Sequence, residues 1–188
     1  MDINALIPKI DSLLNTTFEA IDTWFEKEEA LRQYKPASGG WIINQILEHI
    51  ALTNHYLLIL IEKGTRKALQ NAAKTDLREA LTSHVFHAEK LNEIGIHQSF
   101  GWVRPAHMEP TGGKLPGEVR IMLKTQLAQC LGFLSEMPNG EGVLHSTTMT
   151  VNGLGKINVY EYLFFLGQHG QRHLTQMEKV AAEFNLSK

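Results

Sequence analysis

At 188 residues, with 18 Lys plus Arg against 20 Asp plus Glu, the chain carries a formal charge of −2. That balance excludes a dedicated nucleic-acid surface, which needs a basic stripe, and no apolar run approaches the roughly 20 residues that a membrane-spanning helix requires. One cysteine leaves no internal disulfide framework, and residues 1–5 lack the basic start and apolar run of a secretory leader, so the expectation is a single domain over 1–188 in the cytoplasm.

The spacing predicts an amphipathic helix over residues 3–33, with Ile3, Ile7, Ile10, Leu14, Phe18, Ile21 and Phe25 on its buried seam. Leu6, Leu13 and Trp24 fall off that seam and suggest a surface that a second copy would cover, giving a homodimer. Pro36, Gly39 and Gly40 break the chain; Ser38 is expected to cap a second helix that reaches about Lys63, with Gly64 as its stop. Residues 75–94 read as a shorter helix capped by Thr75 or Asp76 and ended by Gly95. Residues 101–113 hold two prolines and three glycines and predict a long loop. Pro116 suits the first turn of the next helix, which ends before Pro138. Cys130 shares the seam of Leu123, Leu127, Leu134 and Met137, as a small core hydrophobe would. A β-branched stretch over 143–151 followed by Asn152-Gly153 marks a candidate hairpin, and Asn158 with Glu161 resembles a capping box opening the last helix. The sum is an all-α, four-helix bundle with an extra short helix and a candidate small hairpin before the last helix.

Chemistry concentrates on that last helix. Leu163, Leu166, Gly170, His173, Met177 and Val180 form its core-facing stripe, and His169 lies beside His173, because a spacing of four separates side chains by only about 40° around the axis. Imidazoles turned into a core need partners. Burial also keeps them neutral, the form that binds metal. A zinc-like ion takes three or four ligands. His49 is the candidate third, on the face that carries Ile42, Ile46, Thr53 and Leu57. Taken alone, His49 reads equally well as a core histidine bonded to a carbonyl or carboxylate; three inward histidines on two helices favour a metal.

Rival motifs are weaker. His84 and His87 form one other histidine pair, set among solvated neighbours. Gly112-Gly113-Lys114 lacks the phosphate-loop spacing, and Gly170 stands where a metalloprotease would carry its glutamate. The Cys-x-x-Cys of zinc deaminases and the G-x-S-x-G elbow are absent from the sequence. Glu48 should diverge from His49 by about 100°, towards solvent or a neighbouring helix, so no catalytic base is assigned. In the long loop, Trp102, Arg104 and His107 are candidates for lining a substrate pocket, the alternative being a surface loop anchored by Trp102.

Three segments together resemble the DinB/YfiT-like superfamily of helical-bundle metalloenzymes. They are Lys35-Pro36-Ala37-Ser38-Gly39-Gly40-Trp41 leading to Glu48-His49-Ile50, the Pro-containing stretch over 101–110, and Gln168-His169-Gly170-Gln171-Arg172-His173. The resemblance runs over about residues 5–180, and the last-helix motif is its specific part. It implies that His49, His169 and His173 hold a divalent ion. Imidazoles suit zinc, nickel, copper and iron alike, and zinc or nickel is the expectation here. It further implies a small-molecule substrate used with a low-molecular-weight thiol, in transferase, isomerase or hydrolase-like chemistry. Two other readings stand beside it: a non-catalytic metal-binding or stress-associated protein, and an interaction module whose histidines are structural.

Overall fold

The structure is a computed structural model that describes residues 2–37, 39–101 and 105–188. Among these residues it is all-α apart from one small hairpin. Helices α1 (Ile3–Asp22), α3 (Ile43–Ala72), α6 (Pro116–Glu136) and α7 (Val159–Leu186) form the bundle. α1 packs on α6 and α7, and α3 packs on the same two. Short helices α2 (Glu29–Arg32), α4 (Leu77–Ser83) and α5 (Ala88–Gly95) fill the connections, with α5 lying against α7. Strands β1 (Ser146–Met149) and β2 (Gly155–Asn158) pair antiparallel, with Thr147 opposite Ile157, and feed directly into α7. No helix of the described residues is long and apolar enough to cross a membrane.

The expected boundaries hold where a cap or a proline sets them. Asp76 caps α4, its Oδ1 accepting from the backbone N–H of Arg78 at 2.9 Å and of Glu79 at 3.3 Å. Pro116 opens α6, and α5 ends at Gly95. Asn158 and Glu161 close a reciprocal box: Glu161 N–H donates to Asn158 Oδ1 at 3.1 Å, and Asn158 N–H donates to Glu161 Oε2 at 2.9 Å. The Ser38 cap lies outside the described residues, and Cys130 is fully buried as expected.

Three boundaries differ, and tertiary packing explains each. The first helix stops at Asp22, not near residue 33. The chain tightens into a 3-10 turn over Thr23–Glu26, with Thr23 Oγ1 donating to Ala20 O at 2.7 Å, and this turn carries Trp24 into the core. Leu6 is buried too, and half-buried Leu13 packs against Gly167, so Leu6 and Trp24 belong to this chain's own core. Gly64 does not stop the second long helix; α3 passes through it to Ala72. A Cβ there would sit 3.1 Å from Val159 Cγ2, so glycine serves the close approach of α7 rather than a helix end. The helix expected over 75–94 is cut between Ser83 and Ala88. There Phe86 packs edge-on to Phe164 at 5.4 Å between centroids, and buried Glu161 accepts from both the backbone N–H (2.9 Å) and the Nδ1–H (2.6 Å) of His87. These anchors outweigh the helical spacing.

α1 crosses α7 where α7 carries glycine. A Cβ on Gly167 would lie 2.6 Å from Leu13 Cγ, and one on Gly170 would lie 2.6 Å from Thr17 Cγ2 and 3.2 Å from Ile21 Cδ1. Gly170→Ala therefore forces α1 outward, and an overpacking cost of about 1–3 kcal/mol is expected in urea denaturation. Gly117→Ala, where no atom lies within 4 Å of the added methyl, should leave the urea midpoint close to that of the parent.

Candidate metal centre

α3 supplies His49, and α7 supplies His169 and His173 one turn apart; all three are buried. One ring nitrogen from each lies within 4.8 Å of the other two. The ring centroids are 4.5 Å apart for His169 and His173, 4.8 Å for His49 and His173, and 5.3 Å for His49 and His169. Trp41 tilts against His49 at 4.7 Å between centroids, and Phe165 lies parallel to His169 at 6.3 Å. The sequence thus brings its three candidate ligands together.

Neighbouring acceptors fix two of the rings. His49 Nδ1 donates to the carbonyl of Met108 at 2.7 Å, and His173 Nδ1 donates to Gln176 Oε1 at 2.8 Å. Both acceptors are oxygens, so in each ring Nδ1 carries the proton and Nε2 keeps its lone pair. Such outer partners orient metal-binding histidines and select the coordinating nitrogen. His173 Nε2 faces His169 Nε2 at 3.1 Å. Two nitrogens arranged tetrahedrally at 2.0–2.1 Å from a zinc-sized ion would stand roughly 3.3 Å apart. The donor set therefore fits a divalent ion.

Electrostatics favour the same state. Burial, then the charges of His173 and His49, holds His169 well below the ordinary histidine range. Burial foremost, with His49 next, pushes His173 down to about 3. Both rings are neutral in the folded protein at neutral pH.

Glu48 departs from its expected place. It is buried and faces the long loop, where its Oε2 accepts the backbone N–H of Gly112 at 2.7 Å and its Oε1 accepts Thr111 Oγ1–H at 3.1 Å. The carboxylate beside His49 therefore staples the loop whose Met108 carbonyl orients that histidine. His107 of the loop is exposed and meets the Tyr56 ring edge-on at 4.2 Å, while Pro105 and Met108 lie nearer the histidines. Trp102 and Arg104 lie outside the described residues. His84 and His87 are half-buried rather than solvated and belong to the start of α7: His87 pairs with Glu161, and His84 Nε2 meets Asn158 Nδ2 at 3.3 Å.

The histidines form a wall between two chambers. On one side, about 290 Å³ is lined by polar groups, among them Trp41, His97, Arg172 and Gln176. Arg172 is buried there, donates to Ile96 O at 2.6 Å and stands over the Phe100 ring at 5.5 Å. On the other side, about 220 Å³ is lined mainly by apolar groups of α3, α7 and the hairpin. Sequence reasoning missed Arg172 and Gln176 as site residues; each lies three after a candidate ligand, Arg172 after His169 and Gln176 after His173, and that spacing is the signal that could have found them.

A sequence model of the DinB superfamily matches residues 14–177. The chain is 24% identical over 169 residues to the uncharacterized protein YuaE of Bacillus subtilis (strain 168), covering 85% of this chain and 91% of that protein. No solved structure matches it significantly.

The depressed histidines set an acid limit on the metal-free fold. Below the ordinary pKa of 6.5, an unfolded chain protonates these rings while the folded one holds them neutral, so the unfolded state binds more protons. This contribution to stability is complete above about 6.5 and is lost as pH falls towards about 3. The urea midpoint of the metal-free protein should drop across that window, and His173→Gln should flatten the drop.

Proposed function

We propose that this chain, which belongs to the DinB superfamily, is a divalent-metal protein that acts on a small molecule together with a low-molecular-weight thiol. The observation that carries the metal reading is the convergence of three buried imidazoles from two helices, two of them turned by oxygen acceptors so that Nε2 is the available nitrogen. Zinc or nickel is the ion proposed, because imidazole ligands suit both. The superfamily and the open chambers support the enzymatic reading. A divalent ion so held supplies a Lewis-acid position that lowers the pKa of a bound water or thiol.

The chain's own residues divide the remaining work. His49, His169 and His173 provide imidazole donors on one wall and leave both chambers facing them. Arg172 brings a positive charge to the polar chamber, where the ionised groups of a water-soluble thiol would be held. The apolar chamber would receive the electrophilic partner and exclude water from it. Glu48 keeps the loop closed over His49 and so positions that ring without touching the reactants.

Elemental analysis of protein purified without chelator, followed by calorimetric titration of zinc and nickel into the metal-free form, tests the metal. One ion per chain is expected. His169→Ala should weaken binding at least tenfold, whereas His84→Ala should leave it unchanged, since His84 belongs to the α7 cap. Metal-dependent loss of free thiol in the presence of a panel of electrophiles tests the chemistry. Tight metal without any turnover would favour the non-catalytic reading, and no metal under any condition would overturn both.

A further inference from the structure

The polar chamber presents hydrogen-bond donors. Its roughly 290 Å³ is lined by Trp41, His97, Arg172 and Gln176 beside His49 and His173, with no aspartate or glutamate among the lining residues. Two of these side chains keep a donor end open. Gln176 spends its Oε1 on His173 Nδ1 at 2.8 Å, which leaves both N–H groups of its Nε2 for another partner. His97 Nδ1 lies 2.9 Å from Lys179 Nζ. An ammonium can only donate, so Nδ1 accepts and the His97 proton sits on Nε2. Gln176 Nε2 and His97 Nε2 bond to nothing in the protein, and neither is among the enclosed unpartnered atoms of the core. Both nitrogens therefore reach solvent, on half-buried side chains that line this chamber.

Charge runs the same way. Burial foremost, then Lys179 and Arg172, holds His97 below its ordinary range, which places two cations near that ring. Arg172 and His97 both act in turn on His173, after burial and His49. Among the described residues, no carboxylate contributes to the electrostatic surroundings of His97, Arg172 or His173. The side-chain acceptors are engaged as well: Gln176 Oε1 takes His173, and His97 Nδ1 takes Lys179. Such a chamber offers an amine nothing to donate to and repels its charge, whereas an oxyanion finds donors and a complementary potential.

We infer that the polar chamber is a carboxylate pocket: Gln176 Nε2–H and His97 Nε2–H donate to the carboxylate of a small molecule, Arg172 offsets its charge, and the rest of the molecule extends towards the histidine wall. A singly charged, two-oxygen group matches two open donors and one buried guanidinium. Gln176 and His97 are thus specificity-determining residues, which select a carboxylate over an alcohol or an amine on the same short chain. The inference rests on the thiol reading for what stands at the ligand's other end, and on the chamber alone for the carboxylate.

Two sets of probes separate these. Sodium propionate and inorganic phosphate are titrated into metal-free protein, read by the side-chain amide signals of Gln176 in nitrogen-15 NMR. Calorimetry then compares 3-mercaptopropionate, 2-mercaptoethanol and cysteamine on zinc-loaded protein. Propionate should shift the Gln176 amide and bind more tightly than phosphate. Among the thiols the carboxylate should bind best and cysteamine worst. His97→Phe should weaken propionate about tenfold, the equivalent of one hydrogen bond, and His97→Gln, which restores an N–H donor, should recover most of it. Gln176→Glu keeps an oxygen for His173 Nδ1 but replaces the open donor with a negative charge, so it should reverse the order of 3-mercaptopropionate and cysteamine. Propionate that leaves the parent's Gln176 amide unmoved, phosphate that binds more tightly, or propionate affinity unchanged in both His97→Phe and Gln176→Glu would overturn the inference. Propionate binding as expected, in protein whose zinc engages none of the thiols, would leave the pocket standing and remove the thiol reading. Equal binding of all three thiols would do the reverse.

Discussion

The burial of three imidazoles between α3 and α7 is the constraint around which the rest of this bundle is arranged. Imidazole inside a helical core is stable only when its nitrogens are partnered and its charge is suppressed. Here suppression comes from burial, and partnering comes from the Met108 carbonyl and Gln176. The loop that carries the Met108 carbonyl is pinned by Glu48 through Thr111 and Gly112. A carboxylate, a loop and a ring thus form one chain of dependence, in which the loop's position and the tautomer of His49 are the same fact viewed from two ends.

Much of this arrangement was legible in the sequence because it rests on periodicity. His169 and His173 occupy a stripe whose other members are apolar, and His49 sits on a comparable face, so their inward placement followed from helical geometry, while the resemblance implied that the three share one ion. Caps were legible too, since Asp76, Pro116 and Asn158 act on their own neighbours. What periodicity could not reveal depends on distant contacts. Gly64 looks like a stop, yet it is a contact point for Val159. Trp24 looks like a surface residue, yet the tightened turn after Asp22 carries it inside. Glu48 diverges from His49 as helical geometry requires, but the loop folds over to meet it, and no local signal announces a partner more than sixty residues away.

The two chambers give the histidine wall a polarity that the ligand triad alone would not have. Electrostatic interactions strengthen in the low-dielectric surroundings of the apolar side and weaken where water enters the polar side. Arg172 illustrates the cost of this division: its guanidinium is buried, burial lowers its pKa, and it donates to Ile96 O and stands over the Phe100 face. A guanidinium stays protonated under those conditions.

The register of α7 is what keeps both ligands pointing inwards. A slip of one residue would rotate each side chain by about 100° and carry His169 and His173 out of the seam together. Three independent devices oppose that slip. At the start of the helix, Asn158 and Glu161 lock the first turn, and His87 adds its backbone N–H and its Nδ1–H to the same carboxylate. In that same first turn, the Tyr160 hydroxyl reaches back to the Met137 carbonyl at the end of α6. Midway along, Gly167 and Gly170 admit Leu13 and Thr17 of α1 so closely that any other residue brought to those positions would clash. Gly170 therefore stands between the two histidines for a steric reason. It is the point at which the bundle grips the helix, so the spacing that aligns the ligands and the contact that fixes their rotation are written into the same six residues.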